Sequence, residues 1–125
     1  MLGSIEAQYH LGLLYIFADK KSGIQNAQKS RQWLEKAAFK GDSNAQYALG
    51  LQYQYLNKNV EKYWLKKAAT QGNVHAQTSL AMLYASEEAY AKAYQWLKTA
   101  AEKGYNIAQN NLGVIYGYGK WDIDI

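Results

Sequence analysis

The chain has 125 residues, and neither cysteine nor proline is among them. Without cysteine there is no disulfide, no thiol nucleophile and no cysteine-ligated zinc. Without proline nothing interrupts the helical hydrogen-bond ladder, so long helices are favoured. The only two histidines, His10 and His75, show no metal-ligand spacing. No stretch approaches the roughly 20 apolar residues that a membrane-spanning helix needs. The apolar run from Leu11 to Ala18 lacks the preceding Lys or Arg of a secretory signal and follows Glu6 instead. There is no Asn-x-Ser/Thr acceptor, no Gly-x-x-x-x-Gly-Lys phosphate loop and no Gly-x-Ser-x-Gly nucleophile elbow. The pair Glu87-Glu88 has no second acid at a fixed distance to make a two-carboxylate site, and is expected to open a helix N-terminus. These absences predict a non-enzymatic protein with no metal and no cofactor, located in the cytoplasm.

What the sequence does have is repetition. AQYHLGLLY begins at Ala7, AQYALGLQY at Ala45, AQTSLAMLY at Ala76 and AQNNLGVIY at Ala108, so the copies stand 38, 31 and 32 residues apart. Periods of this length indicate stacked two-helix units. Ala, Leu and Tyr at positions one, five and nine form one stripe of a helix A. Position six is Gly12, Gly50 and Gly113, with Ala81 in the third copy. Glycine inside a helix costs up to about 1 kcal/mol against alanine. Its recurrence therefore predicts a place where a second helix comes close.

That second helix is legible in RQWLEKAAFKG (Arg31 to Gly41), EKYWLKKAATQG (Glu61 to Gly72) and YQWLKTAAEKG (Tyr94 to Gly104). Trp33, Trp64 and Trp96 stand four residues before Ala37, Ala68 and Ala100, which predicts an inter-repeat core column. Gly41, Gly72 and Gly104 are placed to end each helix B in a left-handed residue. Asp42, Asn73 and Asn106 are expected to cap the helix that follows. The fold class is thus all-α, an α-solenoid forming a right-handed superhelix of about three and a half helix-turn-helix repeats. The chain is expected to be a single repeat domain, 1–125, with repeats at approximately 5–41, 42–72, 73–104 and a partial 105–125.

These columns resemble the Sel1-like repeat family, a relative of the tetratricopeptide repeat. The family pattern is A-x-x-x-L-G-x-x-Y, a G-x-G-V loop, then K-A-x-x-W-Y-x-K-A-A-x-x-G. Ala45, Leu49, Gly50 and Tyr53 match its first half, and Trp64, Lys67, Ala68, Ala69 and Gly72 its second. The second and third units are shorter than the family's usual repeat and lack the Gly-x-Gly loop. Leu follows each Trp where the family has Tyr, and Lys is replaced by Thr99 in the third unit. The fourth unit reaches WDIDI before any helix B, as expected of a piece of a longer array or of a last helix A serving as a lid.

The resemblance implies a scaffold or adaptor that binds a protein or peptide in the concave groove lined by the A helices. Counting from the Leu of each unit as in tetratricopeptide repeats, the groove residues are Tyr9, Leu13 and Phe17, then Tyr47, Leu51, Gln54 and Tyr55. The third and fourth units supply Thr78, Met82, Asn110, Val114 and Tyr118. The groove is aromatic and apolar, which suits protein recognition. The resemblance also implies an alternative role as a small bacterial immunity-type inhibitor that neutralises a cognate toxin. A homodimer covering the first and last helices is a further expectation. Single-stranded nucleic acid is a weaker fit. Twelve tyrosines and a basic first half favour it, but the groove holds almost no Lys or Arg.

Charge is uneven. The net charge is +4, yet Lys20 to Lys67 holds ten Lys and Arg against Glu35, Asp42 and Glu61. The first half is therefore expected to favour an acidic partner, if these side chains are more than a solvated helix exterior.

Overall fold

The computed structural model describes residues 5, 7–13 and 24–118. Among them are seven helical segments: residues 7–13 (α1), Ile24–Phe39 (α2), Ser43–Gln52 (α3), Lys58–Thr70 (α4), Val74–Ser86 (α5), Tyr90–Glu102 (α6) and Asn106–Tyr118 (α7). The odd-numbered segments are the A helices and the even-numbered ones the B helices. Backbone contacts divide the chain into two compact units, Met1–Ala68 and Ala69–Ile125.

In the first unit α2 packs along α3. The core joins Leu34, Ala37 and Ala38 of α2 to Ala45, Ala48 and Leu49 of α3 and Trp64 of α4, with Tyr9, Tyr53 and Val60 packed against it. In the second unit α5 packs along α6, and α6 along α7. Its buried residues include Ala76, Leu80 and Ala81 of α5, Leu97 and Ala100 of α6, and Ala108 of α7.

The turns explain themselves from the sequence. Gly41, Gly72 and Gly104 have φ of +98°, +100° and +87°, a region that a residue with a Cβ enters at a cost. Gly41 N donates to Ala38 O and Asp42 N to Ala37 O; Gly104 N donates to Ala101 O and Tyr105 N to Ala100 O. These are Schellman closures that satisfy the last carbonyls of α2 and α6. Asp42 and Asn73 then accept from Ala45 N (2.9 Å) and Ala76 N (3.0 Å) as helix N-caps.

Several expectations needed correction. Asn106 is the first residue of α7 and not its cap; Tyr105 holds the cap position and brings no short polar side chain. Glu87 and Glu88 close α5 and do not open α6, which begins at Tyr90. Glu88 takes φ +62°, and Ala89 N donates to Tyr84 O at 2.9 Å, so this turn builds a Schellman closure without glycine. Helix α2 begins at Ile24, seven residues before the Trp-Leu motif drew its start.

The core column also lies one residue away from the tryptophans. Leu34, Leu65 and Leu97 are at most 1% exposed. Trp64 is buried, whereas Trp33 and Trp96 are half-buried. The close approach at position six is real. A Cβ on Gly12 would lie 2.6 Å from the Leu34 Cγ and Cδ2 atoms, and one on Gly50 would lie 3.0 Å from those of Leu65. Ala81 is fully buried at the same place in α5. Gly113, in α7, would meet nothing within 4 Å.

In the second, third and fourth copies the glutamine that follows the opening alanine has a structural task. Gln46 Nε2 donates to Ala38 O, Gln77 Nε2 to Ala69 O and Gln109 Nε2 to Ala101 O, each at 3.1 Å. Each amide thus reaches back eight residues to hold the end of the preceding B helix against the next A helix.

Candidate partner-binding surface

In an A helix, the Leu at position five faces the core. The residue two places later is turned by about 200° and faces away. Leu49 and Leu80 are fully buried, while Leu51 and Met82 are 40% and 41% exposed. Leu13, at the same place in α1, is half-buried.

In the first unit, Tyr47 is half-buried and lies four residues before Leu51, on the same face of α3. Gln54 and Tyr55 are expected among the groove residues of the A helices. They lie in the turn after α3, which ends at Gln52. Both are exposed, Tyr55 at 90%. Leu56, next to Tyr55 in the chain, is exposed as well. Tyr9 is half-buried against the core cluster. Burial pushes its hydroxyl above the ordinary tyrosine range, and Asp42 and Tyr47 act in the same direction. Phe17 lies outside the described residues.

In the second unit, Met82 is the large apolar side chain left exposed on α5. Thr78, four residues earlier, is buried, and its hydroxyl donates to Val74 O at 3.0 Å. That side chain is turned onto its own helix. Asn110 is exposed on α7. Val114 and Tyr118 belong to α7, but their side chains lie outside the described residues. At the start of α5, His75 meets Tyr105 ring to edge, with centroids 4.9 Å apart and Nδ1 3.0 Å from the tyrosine oxygen. The Tyr105 side chain thus bonds across to the start of α5.

Ionisable groups near these faces are structural. The Tyr53 hydroxyl donates to Glu35 Oε1 at 3.3 Å, with the Arg31 guanidinium 5.3 Å from the ring centre. Burial, then the Glu35 charge, raises the Tyr53 pKa. Glu61 is 6% exposed, and burial raises its carboxyl above the usual range, with Lys58 opposing. Among the described residues no group of three or more His, Asp or Glu is placed to hold a metal ion, and no helix is long and apolar enough to cross a membrane. Exposed apolar and aromatic groups on helices can bind another surface.

Helix pairs closed by glycine, repeated with the same contacts, define an α-helical repeat protein of the solenoid class. The Sel1 repeat profile matches residues 5–42, 43–73, 74–105 and 106–124, and the chain belongs to the Sel1 repeat family. Two solved structures are similar. One is a protective antigen present in uropathogenic Escherichia coli strains that displays an SLR fold, 32% identical with a TM-score of 0.81. The other is a Sel1 repeat protein from Oxalobacter formigenes, 33% identical with a TM-score of 0.79. Each match covers 94% of this chain, but only 27% and 51% of those chains respectively. No curated protein matches. Sel1 repeat proteins are typically protein–protein interaction modules and generally non-enzymatic scaffolds.

Proposed function

We propose that this chain is a non-enzymatic protein-binding module that captures a protein or peptide on its A-helix surface. The observation that supports this reading is the repeated exposure of a large apolar side chain two residues after a fully buried leucine. Leu51 follows Leu49 in one unit, and Met82 follows Leu80 in the other. Internal packing requires neither. Covering such a side chain is worth about 1.5–3 kcal/mol, which makes both candidates for binding anchors. Tyr47 and Tyr55 flank Leu51 and add aromatic area at low entropic cost.

The test is affinity capture from the native cell with the wild-type chain and with a Leu51→Ser/Met82→Ser variant, read by quantitative mass spectrometry. Both side chains are exposed, so the variant is expected to keep its helical circular dichroism. A stoichiometric partner bound by the wild type and lost by the variant supports the reading, and its identity separates a scaffold client from a toxin. A partner held equally by both contradicts the A-helix assignment.

A further inference from the structure

The strongest feature that the A-helix reading leaves unused is on the B helices of the first unit. Phe39, at the end of α2, is 73% exposed although it is one of only two phenylalanines in the chain. Its ring stands edge-on to Trp64 of α4, with centroids 5.2 Å apart. Tyr63, 51% exposed, stands edge-on to the same indole at 5.0 Å. Trp64 is buried, so it anchors two exposed rings in fixed positions. An apolar centre of this kind is surrounded by cations. Lys36 lies three residues before Phe39 on α2 and Lys40 directly follows it in the turn, and the Lys36 Nζ lies 4.4 Å from the Trp33 ring centre. Lys66 is exposed on α4, and Lys67 places its Nζ 5.3 Å from the Tyr63 ring centre.

The charge here is not balanced locally. The described residues of the first unit carry eight Lys and Arg against three acids. All three acids are engaged elsewhere: Glu35 accepts from Tyr53, Asp42 caps α3, and Glu61 is buried. Among the described residues of this unit cations thus outnumber carboxylates by five, and the field around the exposed rings is positive. Such a field attracts a negative partner over about 8–10 Å in physiological salt.

We propose that this α2–α4 face docks an acidic polypeptide segment of a partner protein, seated by an aliphatic or aromatic anchor against Phe39 and Tyr63. Nucleic acid suits the face less well. Stacked bases need open ring faces in succession. Here Tyr63 has a lysine over its ring and Phe39 meets Trp64 edge-on. The site is separate from the A-helix surface and stands or falls independently of it.

Fluorescence anisotropy tests this with a dye-labelled short peptide of alternating glutamate and leucine. A glutamine-for-glutamate peptide and oligothymidylate serve as the comparison probes. Saturable binding that weakens with salt is expected, falling about tenfold or more in Lys36→Glu/Lys67→Glu and in Phe39→Ser. Lys98→Ala, at an exposed position of α6 in the second unit, is expected to bind as the wild type does. All these positions are exposed or at helix ends, and circular dichroism checks that each variant is folded. The proposal is overturned if the glutamine peptide binds equally well, or if the charge reversals change nothing. It is also overturned if no peptide binds, or if oligothymidylate displaces the acidic peptide and binds more tightly.

Discussion

Replacing the position-six glycines with alanine, one at a time, separates two opposing effects that the structure makes unequal. In a helix interior alanine is favoured over glycine by about 0.5–1 kcal/mol, through backbone entropy. Against this stands the cost of forcing a methyl group into a packed core, about 1–3 kcal/mol. At Gly113 the new Cβ meets nothing within 4 Å, so only the gain applies. At Gly50 it meets Leu65 at 3.0 Å and Glu61 O at 3.4 Å, so the two effects nearly cancel or the fold weakens slightly. At Gly12 it meets Leu34 at 2.6 Å, and Leu34 is fully buried, so the leucine must move against its neighbours. The expected order of stability is therefore Gly113→Ala above wild type, Gly50→Ala near it, and Gly12→Ala below it by about 1–2 kcal/mol. Urea unfolding followed by far-ultraviolet circular dichroism reads the midpoints; in heat, each kcal/mol corresponds to about 3–5 °C at this size. If Gly113→Ala destabilises as much as Gly12→Ala, the glycine column is not explained by the approach of helix B.

The remaining predictions concern the joints. Gln77→Leu leaves the Ala69 carbonyl without its 3.1 Å donor and is expected to cost about 1–3 kcal/mol in urea unfolding. Asn73→Ala removes the cap on Ala76 N and should cost about 1 kcal/mol in the same assay. Glu88→Gly relieves a left-handed residue with a Cβ and is expected to raise stability by up to about 1 kcal/mol. Glu61 titrates with a raised pKa, so the folded state holds its proton more tightly than the unfolded one. Its favourable contribution is fully present below the unfolded value of 4.5 and is lost as pH rises through the folded value. Glu61→Gln should therefore gain stability relative to wild type at neutral pH, and the gain should shrink as pH falls through the raised folded value and be gone below about 4.5, when unfolding is followed across that range.

Most of the repeat was legible because its signals are local. A glycine after an Ala-rich turn, and Asp42 or Asn73 after it, specify a helix end and a new start within a few residues. What the sequence concealed depends on rotation or on distance. Trp33 and Leu34 are neighbours in sequence but about 100° apart around α2, and the smaller leucine is the one that enters the core. The Ala-Gln signature is visible four times, yet its role in the last three copies needs the eight-residue reach to the preceding helix, which no local pattern expresses. Tyr105 stood where Asp42 and Asn73 stand, but a bulky aromatic hid the register and moved the expected cap to Asn106. Of the candidate surface, the exposure of Leu51 and Met82 followed from the helical period. Tyr55 is exposed for a different reason, because α3 ends three residues before it. The Phe39 and Tyr63 pair could not be foreseen, since it exists only through the Trp64 side chain between them.

The central claim is that the A-helix apolar residues bind a protein partner. It is tested most directly by titrating the captured partner, once purified, into the wild-type chain and into Leu51→Ser/Met82→Ser by calorimetry. The account predicts a saturable wild-type isotherm, and a loss of about tenfold or more in affinity for the folded variant. Equal affinity for both chains would contradict it.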